Sequence, residues 1–380
     1  MRLLHVTTTT DRASGGPAEG LRRILIGYQR LGCEAEVVTN DLPEQKHSSD
    51  IQVPVHEIGP AKGIYNYNAR FVPWLLENYA RFDGIVAHNM WQYPALATWR
   101  VLRHKKRYAL FTHGMLDPWF RHSYPFKHLK KYPYWLGAAY PLLRDAHRVL
   151  FTSQLEQELA PQSFKPFKCH GEVVPYGTLP PENNPEASQT AFYQLCPEVR
   201  GRRFLLFIAR IHEKKGCDLL IQAFAQIAQQ APNLDLVMAG PDSGGLKARL
   251  VSMAQQLGIA DRIHWPGMLK DDAKWGAFRS CEAFVLPSHQ ENFGIAVAEA
   301  MACARPVLIS NQVNIWPDIV KSNSGLVEDD TLEGTVKLLQ RYLNLSETER
   351  AEMGSKGEAY FNGHYNSLET AAAIQRIFSE

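Results

Sequence analysis

The residues able to do chemistry sit just beyond short apolar runs. Glu291 and Glu299 stand with seven residues between them in Ser288-His289-Gln290-Glu291-Asn292-Phe293-Gly294-Ile295-Ala296-Val297-Ala298-Glu299. Carboxylates accept hydrogen bonds from adjacent sugar hydroxyls, so a pair at this spacing suits a sugar and a ribose. The pattern places Glu291 in a loop and Glu299 about two turns into the next helix. The N–H groups around Asn292, Phe293, Gly294 and Ile295 open that helix and suit an anion. A turn carboxylate and a surface helix carboxylate would look the same in isolation. The apolar run before them and Gly294 between them favour a site.

A second cluster is Arg210-Ile211-His212-Glu213-Lys214-Lys215-Gly216, directly after the run Phe204–Ala209. Arg210 can hold two oxygens through its planar fork, and Lys215 adds a point charge. That is a diphosphate clamp, or a solvated basic loop. The run Leu234–Ala239 leads to Gly240-Pro241-Asp242-Ser243-Gly244-Gly245. This nearly imitates a P-loop, but Leu246 stands where the lysine is needed. No G-x-G-x-x-G follows any strand, so ATPase and simple dinucleotide-binding readings lose support, and a backbone-lined nucleotide pocket remains.

The first half offers less. Asp11-Arg12-Ala13-Ser14-Gly15-Gly16-Pro17 suits either close backbone approach to a ligand or an ordinary strand-to-helix turn. His113 ends the run Ala109–His113 and can hydrogen-bond a reacting sugar or serve the core. Asp117, Trp119 and Arg121 follow and can shape an acceptor pocket.

Parallel strands must carry these loops. Further strands are expected at Leu3–Thr8, Ala35–Thr39, Ile85–His88, Val149–Thr152 and Val173–Pro175. The second half adds Ile263–Trp265, Ala283–Pro287, Val307–Ser310 and Gly325–Val327. Runs this short and apolar fit strands buried on both faces. Helical periodicity marks Leu21, Ile24, Leu25, Tyr28 and Leu31, with Pro17 at the first helical position. It also marks Leu219, Leu220, Ala223, Phe224, Ile227 and Ala228. Alternation of this kind implies an α/β fold. Residues 176–203, rich in Pro and Asn and including Pro181 and Asn183, read as a linker with a short helix near Gln189–Leu195. Two α/β domains joined in this way create a cleft, a favoured ligand site.

The 380 residues suit two domains, and the 45% hydrophobic, 21% charged composition suits a soluble globular chain. No apolar run reaches the ~18 residues a transmembrane helix needs. Met1–Val6 is too short for a leader and reads as a buried strand. The cysteines Cys33, Cys169, Cys196, Cys217, Cys281 and Cys303 form no CxxC pair and no zinc spacing. They read as buried thiols in a reducing cytoplasm.

Taken together, these motifs resemble the retaining nucleotide-sugar glycosyltransferases of the GT4 family, which have the GT-B fold. Glu291–Glu299 resembles that family's E-x7-E signature, and Ala209-Arg210 with Lys215-Gly216 its diphosphate motif. Gly15-Gly16-Pro17, Thr112-His113-Gly114 and Phe151-Thr152-Ser153 match more loosely. The resemblance implies two Rossmann-like domains with parallel sheets facing a central cleft. Residues 1–177, with a returning C-terminal helix at 364–380, would bind the acceptor. Residues 178–363 would bind the nucleotide sugar. Leu368, Ala371, Ala372, Ile374, Gln375 and Phe378 give that last helix an apolar face.

The implied roles are specific. Glu299 would bind the ribose, and Glu291 the donor sugar. Arg210 and Lys215 would neutralise the diphosphate, helped by the Gly16, Phe293 and Gly294 amides. The base would lie near Gly240 and the Gly267-Met268-Leu269 loop. His113 would touch the donor sugar or the acceptor, with Gly15, Asp117, Trp119 and Arg121 beside it. The donor would be a UDP- or GDP-sugar and the acceptor a saccharide or lipid-linked saccharide. No cofactor, metal or nucleic acid is implied, and the sequence has no D-x-D motif. The alternatives are a nucleotide-sugar 2-epimerase of the same fold and a non-catalytic sugar-nucleotide sensor.

Residues Trp119–Tyr140 mix Arg121, Lys127, Lys130 and Lys131 with aromatic side chains. That composition suits either an anionic membrane surface or a packed helix with a basic edge. A cytoplasmic chain docked at the inner membrane face is the corresponding expectation. The net charge of +2 conceals a split. Residues 1–175 carry 22 Lys and Arg against 15 Asp and Glu, a net +7, and the remainder carries −5. An anionic partner therefore suits the first half alone.

Overall fold

The computed structural model describes residues 1–180, 184–242 and 244–379. Pro181, Asn183 and Ser243, named above, lie outside the described residues. The chain divides into two compact units. One is Met1–Thr178 with Asn366–Glu380, and the other is Leu179–Tyr365.

Among the described residues, the first unit holds seven strands. They are β1 (Arg2–Val6), β2 (Glu34–Thr39), β3 (Val55–Glu57), β4 (Gly84–His88), β5 (Tyr108–Phe111), β6 (Arg148–Phe151) and β7 (Gly171–Val173). All pair in parallel, in the order β3-β2-β1-β4-β5-β6-β7. Leu3, Leu4, Val6, Ile85, Val86, Leu110 and Phe111 are wholly buried, because helices cover both faces of a parallel sheet. The order reverses direction between β1 and β4, the switch point where such sheets bind ligands.

The last helix, Ser367–Ser379, belongs to this unit and packs on the helix Gly16–Arg30. Gly27 permits the approach, since a Cβ there would lie 2.8 Å from Ala371 Cβ. Thr370 Oγ1 accepts from Gly177 N at 3.0 Å and donates to Pro175 O at 2.7 Å, tying the helix to the end of the first unit's main segment. Its buried face is Ser367, Thr370, Ala371, Ile374 and Ile377, one position off the expected stripe. Thr370 is buried through its hydrogen bonds and Ser367 through close packing on Gly27, which apolar periodicity does not register.

The second unit holds β8 (Arg203–Ile208), β9 (Leu234–Ala239), β10 (Ile263–Gly267), β11 (Ala283–Leu286), β12 (Val307–Ser310) and β13 (Gly325–Glu328). Its sheet, also parallel, runs β10-β9-β8-β11-β12-β13 and switches between β8 and β11. These two parallel α/β units have the GT-B type of architecture.

Five points need correction. β3 went unforeseen because Val55-His56-Glu57 is a half-buried edge strand with no apolar run. The helix expected near Gln189 begins at Pro185, where Asn184 caps it by accepting from Ala187 N at 3.2 Å. Pro17 is the second helical residue, after Gly16, and Leu31 lies beyond that helix and is exposed. β7 ends at Val173, two residues before the expected Pro175. Among the described residues, no helix is long and apolar enough to cross a membrane.

Candidate active site

The second unit gathers its charged residues at the carboxyl ends of β8 and β11. Two glycines allow the loops there to touch. A Cβ on Gly216 (φ +63°) would lie 2.0 Å from Pro287 O, and one on Gly240 (φ +143°) 1.8 Å from Ala209 O. Only glycine fits such contacts at positive φ. His289 N and Ser288 Oγ each donate to Lys214 O at 2.9 Å, stitching the loop after β8 to that after β11.

This stitching pairs Lys215 Nζ with Glu291 Oε2. Lys215 is buried and Glu291 half-buried. Burial alone would push the Glu291 carboxyl up, but the Lys215 ammonium, with Lys214 and the Asn292 N–H, holds it below its ordinary value. Glu291 N donates to Gln312 O and its carbonyl accepts from Asn314 N, both at 3.0 Å, so the residue is fixed at backbone level too. Arg210 is exposed at the end of β8.

Glu299 lies on the helix Ile295–Ala302 as its fifth residue. It is thus little more than one turn in, not two, because Gly294 serves as the cap. Its neighbours Val297, Ala298, Ala300 and Met301 are buried, and Glu299 itself is 3% exposed. A buried carboxylate is costly unless paired. Lys274 supplies the pair, with Nζ 2.7 Å from Glu299 Oε1. The sequence reading missed Lys274, which lies on the helix Asp271–Ser280, 25 residues from Glu299. Phe293 is buried edge-on against Tyr365, Gly294 adopts φ +76°, and Asn292 and Ile295 are half-buried. Met268 is exposed and Leu269 buried beyond Gly267 (φ +79°).

In the first unit β5 stops at Phe111, and His113 and Gly114 both take left-handed φ, +49° and +72°. A non-glycine residue rarely adopts that conformation without local support. Glu156, which the sequence reading also missed, provides it. One carboxylate oxygen accepts from Thr112 Oγ1 and Gly114 N, each at 2.7 Å. The other accepts from Thr152 N at 2.7 Å and Thr152 Oγ1 at 2.8 Å. Thr112-His113-Gly114 and Thr152-Ser153 are thereby joined through one buried side chain, and Ser153 Oγ caps its helix by accepting from Glu156 N at 3.1 Å.

A cavity of about 640 Å³ opens at the switch between β1 and β4. Thr7, Thr8 and Thr9 line it from one side and Asn89, Trp91 and Gln92 from the other. Thr8 Oγ1 donates to Gln92 Oε1 at 2.6 Å, and Asp41 accepts from Thr9 Oγ1, Thr10 N and Thr10 Oγ1 at 2.6–2.7 Å. Its described lining includes Asp11 and Asp41 but no Lys or Arg. Gly15, His113, Asp117, Trp119 and Arg121 lie outside that lining. Gly15 precedes its helix in an exposed turn, and Gly16, the first helical residue, is exposed too. Asp117 is buried and accepts from Trp119 N at 2.8 Å, and Arg121 is exposed. Among the described residues no group of three or more His, Cys, Asp or Glu is arranged to hold a metal ion.

The family model described as Glycosyl transferases group 1 matches residues 197–360, and that described as Glycosyl transferase 4-like domain matches residues 15–177. The chain belongs to the GT4-like glycosyltransferases. Within that family it is 34% identical to the D-inositol 3-phosphate glycosyltransferase of Frankia alni over 137 residues, 34% of this chain and 33% of the relative. It is 29% identical to the protein of that name from Thermobispora bispora over 233 residues, 55% of this chain and 53% of the relative. The GT4-like chain thus spans from a third to about half the length of these curated relatives. The structure of Anabaena HepE in complex with UDP and glucose covers all of this chain at a TM-score of 0.78, with 18% identity and 99% of its own chain covered. At that identity the likeness speaks for the fold.

Proposed function

We propose that this chain is a retaining glycosyltransferase. It moves a sugar from a UDP- or GDP-linked donor to a saccharide or lipid-linked saccharide, without a metal. The observation that carries the reading is the Lys215–Glu291 pair at the β8/β11 switch point, with Arg210 exposed at the end of β8 and Lys274 paired to Glu299 on the helix after β11. Incoming diphosphate oxygens share Lys215 and engage Arg210, while the start of the helix at Ile295 adds its positive end. Glu291, kept ionised, accepts from donor-sugar hydroxyls, and Glu299 from the ribose. The acceptor hydroxyl attacks the anomeric carbon on the face the diphosphate leaves. The carbon–oxygen bond to the diphosphate breaks as the new glycosidic bond forms. The departing phosphate oxygen takes the acceptor proton, so the products are nucleoside diphosphate and glycosylated acceptor. Charge gathering on the leaving group is offset by preplaced cations.

The acceptor enters the 640 Å³ cavity of the first unit, whose volume lies in the usual range for small-molecule sites. Its threonine, asparagine and glutamine lining suits hydroxyls. Relatives named for D-inositol 3-phosphate would need a phosphate partner. A described lining without Lys or Arg suits an uncharged saccharide end instead. Nucleoside diphosphates screened by thermal shift, then donor turnover with EDTA present, test the reading. It fails if neither UDP nor GDP shifts the melt.

A lipid-linked acceptor suits a chain that reaches an anionic bilayer. Phe126, Leu129 and Leu136 are 82%, 66% and 53% exposed and fall on one side of the segment Pro125–Ala139. Lys127 and Lys130 are exposed beside them, each worth ~1 kcal/mol at an anionic surface. Lys131 instead lies over Trp91 at 4.3 Å. Phosphatidylglycerol vesicles should float the chain at low salt, and Phe126→Asp with Leu129→Asp should leave it at the bottom. Wild-type chain that stays at the bottom contradicts the docking.

A further inference from the structure

His113 does not stand alone. Its Nε2 is 3.0 Å from His88 Nδ1, His88 Nε2 is 2.8 Å from His5 Nδ1, and His5 Nε2 is 3.2 Å from the Tyr28 hydroxyl. The three imidazoles come from the adjacent strands β1 and β4 and from the residues just beyond β5. Tyr28, His5 and His88 are buried, and His113 is the partly exposed end of the row. Neighbouring rings lie 5.2 Å apart with interplanar angles of 29° and 13°.

A neutral imidazole has one N–H and one bare nitrogen. Burial keeps all three in that form, pushing each below its ordinary value and His88 to about 3. Bonded in series through alternate nitrogens, the rings must therefore share one polarity. In one arrangement Tyr28 donates its O–H to His5, each ring donates from Nδ1 to the next, and His113 presents Nδ1–H at the open end. In the other, every ring is protonated at Nε2 and His113 presents a bare Nδ1. Tyr28 then accepts, and its own O–H is left unmade, since it has no other hydrogen-bond partner among the described residues. Leaving a buried donor unmade is the costlier choice. It outweighs the mild preference of free imidazole for Nε2–H.

We infer that Tyr28, His5 and His88 are positioning residues that hold His113 as its Nδ1–H tautomer, so that His113 meets substrate as a hydrogen-bond donor and not as a base. The donor role rests on the proposed function and adds to it that His113 meets the reacting sugar, since His113 does not line the cavity given to the acceptor. The tautomer does not rest on that function.

Long-range proton–nitrogen correlation spectra of the full chain, with ¹⁵N-labelled histidine and no substrate, read each imidazole directly. The expected result is a protonated Nδ1 and a bare Nε2 at His113, His88 and His5. Nε2–H at His113 overturns the inference. Tyr28→Phe removes only the hydroxyl that donates to His5 Nε2, so the His5 Nε2 resonance should move further toward that of an unbonded bare nitrogen. No change at His5 Nε2 in that variant shows that Tyr28 does not donate, and also overturns the inference. A separate arm isolates the underlying reading. If His113→Phe keeps full transfer, His113 does not act on substrate, whatever its tautomer in the wild type.

Discussion

Lys215→Met should lower sugar turnover by roughly 10²–10³-fold, the range seen when one preplaced electrostatic contact to a developing charge is lost. Methionine keeps most of the buried stem and removes the charge. The loss should fall mainly on kcat, because the diphosphate is most negative as it departs. Lys215 also holds Glu291 ionised, so the single variant leaves a partly buried carboxylate without its cation. That costs stability as well as rate. Lys215→Met with Glu291→Gln removes both charges and separates the two effects. It should regain most of the lost melting temperature and none of the lost turnover. Full turnover in Lys215→Met would show that the ammonium does not serve the leaving group.

Glu156→Ala should be the most destabilising single substitution near either site. It strips the acceptor from Thr112 Oγ1, Gly114 N, Thr152 N and Thr152 Oγ1 at once. Each buried donor left unmade costs about 1–3 kcal/mol, and two of these are hydroxyls that can turn elsewhere. A net loss of about 3–5 kcal/mol follows, comparable to breaking a buried ion pair. For a unit of this size that is on the order of 10 °C in melting temperature. Glu156→Gln should recover little. It has a single acceptor oxygen, so one of the two backbone N–H groups meets an amide NH₂. His113, held at positive φ between Thr112 and Gly114, loses its support in both variants. A melt within 2–3 °C of wild type for Glu156→Ala, on the ~2–4 °C per kcal/mol scale for such domains, contradicts this account.

These two predictions differ in how readily the sequence exposes them. Lys215 and Glu291 stand out because each follows an apolar run and precedes a helix, a local pattern that strand burial and chain spacing reveal. The same logic recovered most strands to within a residue or two, since runs such as Leu234–Ala239 must be buried on both faces. Glu156 carries no such mark. It looks like one of several charges in Gln154–Leu159, and only the pairing of β5 with β6 brings Thr112 and Gly114 to it. Lys274 is hidden for the same reason. His5 reads as an interruption of an apolar strand, and its link to His88 depends on β1 lying beside β4 rather than β5. The cavity lining was equally out of reach, because strand order brings Thr7–Thr9, Asn40 and Asn89 together and a turn held to Asn40 adds Asn66. β3 shows the complementary limit: an edge strand held by hydrogen bonds leaves no apolar signature.

The central claim is that the paired charges of the second unit cleave a nucleotide sugar. It is tested most directly by incubating the chain with UDP- and GDP-sugars in EDTA and separating the nucleotides released. Slow release of UDP or GDP without acceptor, faster release with a saccharide, and loss of both in Lys215→Met are the expected results. No nucleoside diphosphate from any donor, or an epimerised nucleotide sugar in its place, would contradict the account.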